Sequence, residues 1–253
     1  MVNDNARSHA RSCHPGRPQN HANCNLGQRR SKAEKIIRIL EQRLPLQGKR
    51  VLDIGTGSGV ITASFARRVG PQGEVVGTDV QDQRISEEGY TYIPVDDVLL
   101  PLPDQSFDVV VSNHVIEHVG DYPAQQKHLA EIHRVLRDQG IVYFTAPNRW
   151  SVMEPHYNLP FLSWLPRGLA DAYLRTFRRA QAYDCYPLGP IVLHKLFRVA
   201  GFNCETVTGQ ALKLLIELEG GKGLRGYAAK VPACVVDFLS PASPTFAFLL
   251  RKA

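Results

Sequence analysis

His114, Glu117 and His118 fall within eight residues of one another in the run SNHVIEHV, and His156 follows in a segment that also holds Glu154, Tyr157 and Trp164. An imidazole titrating near neutrality is the natural proton acceptor for a hydroxyl nucleophile. His118 and His156 are therefore assigned as the catalytic candidates, with His114 and Glu117 as their neighbours. A structural role under a sheet edge remains open for His118. A second chemistry-bearing stretch, VLDIGTGSG at residues 51–59, places Gly55, Gly57 and Gly59 at alternate positions behind Asp53. A glycine-rich turn that leaves a strand and opens a helix lets main-chain N–H groups face a ligand that no Cβ obstructs. A phosphate-gripping loop would end in Gly-Lys-Ser/Thr, whereas Val60 and Ile61 follow Gly59. A dinucleotide fingerprint would need glycine at position 60.

These residues need a scaffold, and apolar patterning supplies one. Ser31 with Glu34 reads as a capping box for a helix carrying Ile36, Ile37, Leu40 and Leu44, ended by Pro45 and Gly48. Next in alternation come a strand RVLDIG, a helix from Ser58 to about Val69, a strand EVVGTDV, a polar helix near 82–88, and strands TYIPV and FDVVVSN. A helix near 123–137, a strand GIVYFTA, a helix near 189–200 and strands near 204–208 and 245–251 complete the series. Near-continuous Val and Ile runs between helices predict strands buried on both faces, hence a parallel doubly wound sheet. Residues 148–187 and 211–243 exceed ordinary loop length and are read as substrate-side insertions. In the first, Glu154, His156, Tyr157 and Trp164 supply groups for an acceptor pocket, and Phe161, Leu162, Trp164 and Leu165 alternatively form the core of a hydrophobic cap; both can hold at once. Within the first, GLADAYLRTFRR predicts an amphipathic helix with Arg175, Arg178 and Arg179 on its polar face. It is either a lid or a peripheral membrane contact.

Four stretches, VLDIGTGSG, VVGTDV, VDDVLLPLPDQSFDVVVSNHVIEHV and HLAEIHRVLRDQGIVYFTAPN, resemble in this order the class I S-adenosylmethionine-dependent methyltransferases of the type 11 small-molecule group. The resemblance covers about residues 48–148 and returns at AGF, residues 200–202. It implies a Rossmann-like seven-stranded sheet, mostly parallel with the last strand antiparallel and helices on both faces. It also implies S-adenosyl-L-methionine as cofactor. Asp53 and the turn of Gly55, Thr56, Gly57 and Gly59 match the part of the family pattern that holds the aminoacyl half. An acid suits the ammonium and sulfonium cations there. Asp79, with Val80 beside it, matches the family acid that accepts hydrogen bonds from both ribose hydroxyls. Asp96 opens the acid-x-x-x-Leu-Pro pattern that takes the adenine amino group, and Asp97 beside it reads as a backbone contact. Asn113, closing the fourth strand, faces the cleft in this topology or caps the following turn. The Glu117–His118 pair recurs in ubiquinone-type O-methyltransferases, where it lies beside the acceptor and can help hold a divalent cation.

Charge and cysteines narrow the function classes. The formal charge of +6 is concentrated in residues 1–30, where Arg7, Arg11, Arg17, Arg29 and Arg30 face Asp4 alone. That stretch reads as a disordered basic tail, followed by one methyltransferase domain over 31–253. The rest is too weakly basic to predict a nucleic-acid partner. Five scattered cysteines without a CxxC pair predict a reducing, cytoplasmic setting. Cys13, His14, His21 and Cys24 match no established ligand spacing, and no metal site is assigned. No apolar run is long enough to span a bilayer. The reaction expected is methylation of a small molecule or a glycan- or lipid-linked metabolite, on oxygen by preference. The alternatives are carbon or nitrogen methylation of a quinone-like precursor and a cofactor-binding regulatory protein. The oligomeric state is not legible in the sequence.

Overall fold

The computed structural model describes residues 26–220, 231–238, 241 and 243–253. The first 25 positions of the expected tail lie outside the described residues, as does part of the 211–243 insertion. The strands are β1 (Arg50–Ile54), β2 (Glu74–Asp79), β3 (Thr91–Pro94), β4 (Phe107–Asn113), β5 (Leu136–Pro147), β6 (Met153–Glu154), β7 (Leu159–Pro160), β8 (Phe202–Thr206) and β9 (Thr245–Lys252). The helices are α1 (Leu26–Glu41), α2 (Val60–Val69), α3 (Tyr122–Val135), α4 (Arg167–Thr176), α5 (Pro190–Val199), α6 (Thr208–Glu219) and α7 (Ala233–Phe238).

Seven strands form one sheet in the order β3-β2-β1-β4-β5-β9-β8, and β6 with β7 makes a separate small hairpin. The chain's last strand, β9, is inserted between β5 and β8 and runs antiparallel to both, while the β1 to β5 pairings are parallel. The expected seven-stranded, mostly parallel sheet is therefore the observed one.

Its strands are apolar on both sides because both sides are covered. Val51, Val109, Val111, Ile141 and Tyr143 point into one core with Ile36, Ile37 and Leu40 of α1, Phe65 of α2 and Ala211 of α6. Leu52, Val110, Val142 and Phe144, one position on, point into the other core with Leu129 and Ile132 of α3 and Leu193 and Phe197 of α5. Each such side chain, fully withdrawn from water, contributes about 1.5–3 kcal/mol.

Three local expectations fail for identifiable reasons. α1 begins at Leu26 and runs through Ser31, so that serine caps nothing and residues 26–30 of the supposed tail are helical. The insertion does form a hydrophobic cap, with Leu162 in its core and Leu165 packed against it as expected, but with other residues filling most of it. Tyr157, Leu159, Leu162, Ala170, Leu174, Tyr183 and Cys185 fill it, while Phe161 and Trp164 are 46% and 41% exposed. Residues 82–88 form no helix. Asp82 accepts hydrogen bonds from the Arg84 amide and guanidinium, an alternative that competes with helical pairing.

That non-helical segment lies on the glycine turn. The amides of Ile85 and Ser86 both donate to the Ser58 carbonyl at 3.0 and 3.2 Å, and the Tyr90 hydroxyl donates to the Ser86 carbonyl at 2.6 Å. A Cβ on Gly59, whose φ is +76°, would stand 2.0 Å from that carbonyl oxygen. Gly59→Ala should therefore cost at least the roughly 1–2 kcal/mol of a left-handed alanine, plus the displacement of residues 85–86. Urea denaturation read by circular dichroism measures that loss.

Candidate active site

β1 is flanked by β2 on one side and β4 on the other, and the chain reverses its direction of travel across the sheet between β1 and β4. Ligands of open α/β sheets lie at the carboxyl ends of strands at such a switch point. Asp53, the glycine turn, Asp79 and Asn113 all stand at those ends.

The turn is held from within. Gly55, Gly57 and Gly59 have φ of +74°, +52° and +76°. The Gly55 and Thr56 amides donate to the Thr78 carbonyl, and the Gly57 amide donates to Asp79 Oδ2 at 2.7 Å. A Cβ on Gly55 would stand 2.6 Å from the Val115 side chain. Bare main chain at positions 55 and 59 is thus demanded by the protein's own packing.

Asp53 is buried under the turn and accepts a 2.6 Å hydrogen bond from the Thr62 hydroxyl. Burial pushes its carboxyl up to about 7, with the Asp79 charge adding to the rise and the Thr62 bond and Arg29 opposing it. A cation bound nearby would favour the ionised form. Val80, next to Asp79, is 58% exposed and offers an apolar face at the mouth of the cleft. Asp96 and Asp97 are exposed, and the Asp97 side chain accepts from the Val98 amide at 2.7 Å. The Asn113 side-chain oxygen accepts from the Thr145 hydroxyl at 3.0 Å. A turn open to solvent at Gly55, a buried acid, a second acid on the next strand and an uncovered apolar residue fit a cationic nucleoside.

Beyond β4 the chain enters a left-handed turn at His114, φ +58°, which aims the next few residues back over the sheet end. Glu117 is fully buried there. Its Oε1 lies 3.2 Å from His114 Nδ1, 3.9 Å from His118 Nε2 and 3.8 Å from His156 Nε2. Burial raises a carboxyl, but the His114 hydrogen bond and the charges of all three imidazoles outweigh it, and Glu117 lies below its ordinary value. The two catalytic candidates, 38 residues apart in sequence, meet with ring centroids 4.9 Å apart.

His156 is gripped from the far side by Glu154, buried at 1% exposure, through a 2.9 Å contact to Nδ1. Burial lowers the imidazole, yet Glu154, Glu117 and Asp184 more than compensate and its pKa lies above the ordinary value. Cys185 brings its Sγ to 3.8 Å from His118 Nδ1. The Tyr186 amide, donating to the Glu117 carbonyl at 2.7 Å, fixes that approach. Cys185, Tyr183 and Asp184 escaped sequence reasoning, since no motif or periodicity links them to residues nearly seventy positions earlier. Trp164, expected near an acceptor pocket, instead stacks on Trp150 and Phe161 at the cap's surface. His133 sets its ring edge-on against Phe202. His128 is buried against Ser112, and burial lowers it to about 4.

A doubly wound sheet with a glycine turn at its switch point and an acid closing the second strand defines a nucleoside-binding α/β protein. Residues 52–144 match the family model described as a methyltransferase domain, in keeping with the resemblance of that stretch to the class I S-adenosylmethionine-dependent methyltransferases of the type 11 group. It is 34% identical over 133 residues to a ubiquinone/menaquinone biosynthesis C-methyltransferase from Teredinibacter turnerae, a match covering 47% of this chain and 52% of that enzyme. A ubiquinone biosynthesis O-methyltransferase from Thiobacillus denitrificans is 29% identical over 199 residues, 72% of this chain and 76% of that one. Against the C-methyltransferases among these curated relatives, the chain spans about half their length. A solved S-adenosylmethionine-dependent methyltransferase from Mesorhizobium loti shares the fold, with a TM-score of 0.55 at 17% identity over 86% of this chain and 98% of that one.

Removing the Glu154 charge tests the electrostatics of the cluster. Glu154→Gln should lower the His156 pKa, so that the imidazole becomes neutral at a lower pH. Imidazole proton shifts followed by NMR across a pH series would read this.

Proposed function

We propose that this chain transfers a methyl group from S-adenosylmethionine to a small molecule or a glycan- or lipid-linked metabolite, with oxygen as the acceptor atom. The observation that carries the reading is the juxtaposition of a nucleoside cleft with a buried carboxylate–imidazole cluster at the next strand end. Methylation of carbon or nitrogen on a quinone-like precursor is the second reading. The relatives named for C-methylation and for O-methylation of quinone intermediates support it about equally with the first.

In this mechanism Asp53 and the Gly55–Gly59 turn, with Thr56, would hold the aminoacyl end, and Asp79 would accept from the ribose hydroxyls. Val80 would pack beside the nucleoside, Asp96 would take the adenine amino group, and Asp97 and Asn113 would shape the cleft walls. The cofactor supplies a methyl group on a positively charged sulfur, which transfers in line to a nucleophile. The chain's remaining work is alignment and exclusion of water. Residues 148–187, with their own small core, form the cover on that side. His118 and His156 accept the proton of the acceptor hydroxyl, and Glu117 stabilises the imidazolium that results. His156 does so only in its neutral form, whose fraction grows as pH rises through a value above the ordinary one.

The same reading makes the tail an appendage of one catalytic domain and the cytoplasm the place of action. No helix among the described residues is long and apolar enough to cross a membrane. A peripheral contact through α4 is compatible with it.

Calorimetry should detect binding of S-adenosylmethionine and none of NAD. Asp79→Ala should weaken that binding by about 1.5–3 kcal/mol for each hydrogen bond lost, and an unchanged affinity removes Asp79 from the site. His118→Ala should lower turnover about 10²–10⁴-fold, the usual worth of a general base, with cofactor affinity intact. Turnover is measured as methyl label passing from the cofactor into a metabolite extract, and no labelled product from the parent protein would overturn the reading.

A further inference from the structure

The two oxygens of the buried Glu154 carboxylate hold the backbone and the ring of the same histidine. Oε2 accepts from the main-chain amides of His156 and Tyr157, at 2.9 and 2.7 Å. Oε1 lies 2.9 Å from His156 Nδ1, with the Tyr183 hydroxyl behind it at 3.5 Å. An ionised carboxylate accepts hydrogen bonds and donates none. The ring nitrogen that faces Oε1 must then carry the hydrogen.

Neutral imidazole has one N–H and one lone pair, and the hydrogen bond made at one nitrogen decides which of the two the other carries. With Nδ1–H directed at Glu154, the lone pair of neutral His156 sits on Nε2. That nitrogen is turned into the cluster, 3.8 Å from Glu117 Oε1, and the ring stands edge-on to His118. The grip is built on packed residues. Glu154 ends β6 and pairs with Leu159 of β7, and Tyr157 and Tyr183 lie together in the cap core with ring centroids 5.8 Å apart.

We propose that Glu154 is a positioning residue for methyl transfer: it holds neutral His156 in the Nδ1–H tautomer and so presents the Nε2 lone pair to the acceptor hydroxyl. Nε2 takes the hydroxyl proton, the oxygen forms its bond to the methyl carbon, and the methyl–sulfur bond breaks with its electron pair returning to sulfur. The positive charge passes from sulfur to an imidazolium that has Glu154 at one nitrogen and Glu117 at the other. This part in turnover rests on the methyltransferase reading above, whereas the tautomer is independent of it. Glu154→Gln separates orientation from charge. The two amides at Oε2 admit only the oxygen of a glutamine there, so its NH2 takes the place of Oε1 and donates to Nδ1. The ring hydrogen then moves to Nε2, and the lone pair points away from the acceptor. Loss of charge alone would have the opposite effect on the acidic side. With Glu117 and Asp184 still facing the ring, a lower His156 pKa would enlarge the neutral fraction and raise turnover there, but the wrong tautomer depresses turnover at every pH.

The test uses the full chain labelled with nitrogen-15 in its histidines. The His156 signals are identified by their loss in His156→Gln, and the tautomer is read from the two ring-nitrogen shifts at a pH where the ring is neutral. The parent should show Nδ1–H, Glu154→Gln should show Nε2–H, and Glu154→Asp, which keeps a carboxylate, should return Nδ1–H. Turnover, read as methyl label entering a metabolite extract, should fall about 10²- to 10⁴-fold in Glu154→Gln across the pH range and recover in part in Glu154→Asp. Parent protein with Nε2–H at His156 would overturn the proposal, whether or not Glu154→Gln folds. So would a folded Glu154→Gln protein whose tautomer or turnover matches the parent's. S-adenosylhomocysteine binding to the parent, measured by calorimetry, reports separately on the methyltransferase reading, because the tautomer is read without cofactor or acceptor.

Discussion

The turn between β1 and α2 must run with positive φ at three positions while other parts of the chain press against it, and the geometry of the cleft follows from that constraint. Ser86 and Tyr90 close on Gly59, Val115 closes on Gly55, and Asp79 takes the Gly57 amide. A side chain at either outer glycine would separate segments that belong to different strands of the sheet. The turn therefore aligns the ends of β1, β2 and β4 with one another. It also leaves Gly55 itself open to solvent at the mouth.

A second tension is electrostatic. Asp53 and Glu117 are both fully buried carboxylates a short distance along neighbouring strand ends, yet their environments drive them in opposite directions. Asp53 has a hydroxyl for company and is pushed up to about 7, whereas Glu117 has three imidazoles and is held down. One is an acid that a bound cation would ionise, and the other is an anion that already organises the histidines around it. The insertion contributes half of that organisation, because His156 reaches Glu117 only when the Tyr157–Tyr183 core has folded over the sheet. The cap thus acts as a structural wall of the site and as a source of its chemistry.

The Val and Ile runs, the glycine spacing and the acids at strand ends were legible in the sequence because each acts locally. Period-two burial, a turn without Cβ and a charge beside it are properties of adjacent residues. Where the reading failed, competition from distant groups was the cause. Ser31 lost its capping role to a helix that starts earlier, and residues 82–88 lost a helix to the Asp82 side chain and the Ser58 carbonyl. Phe161 and Trp164 were expected inside the cap on hydrophobicity alone, but Tyr157, Leu174 and Tyr183 occupy it.

What the sequence by itself determined is the doubly wound sheet, its order of elements, and the turn and acids of the nucleoside cleft. Only the tertiary structure decided that Glu117, His118, His156, Glu154 and Cys185 meet in one cluster. Four elements must fold before those side chains meet, and contacts between residues so far apart in the chain leave no period or spacing in the sequence. The pairing of a carboxylate with an imidazole is set by a few ångströms of distance, which burial of the surrounding apolar groups establishes.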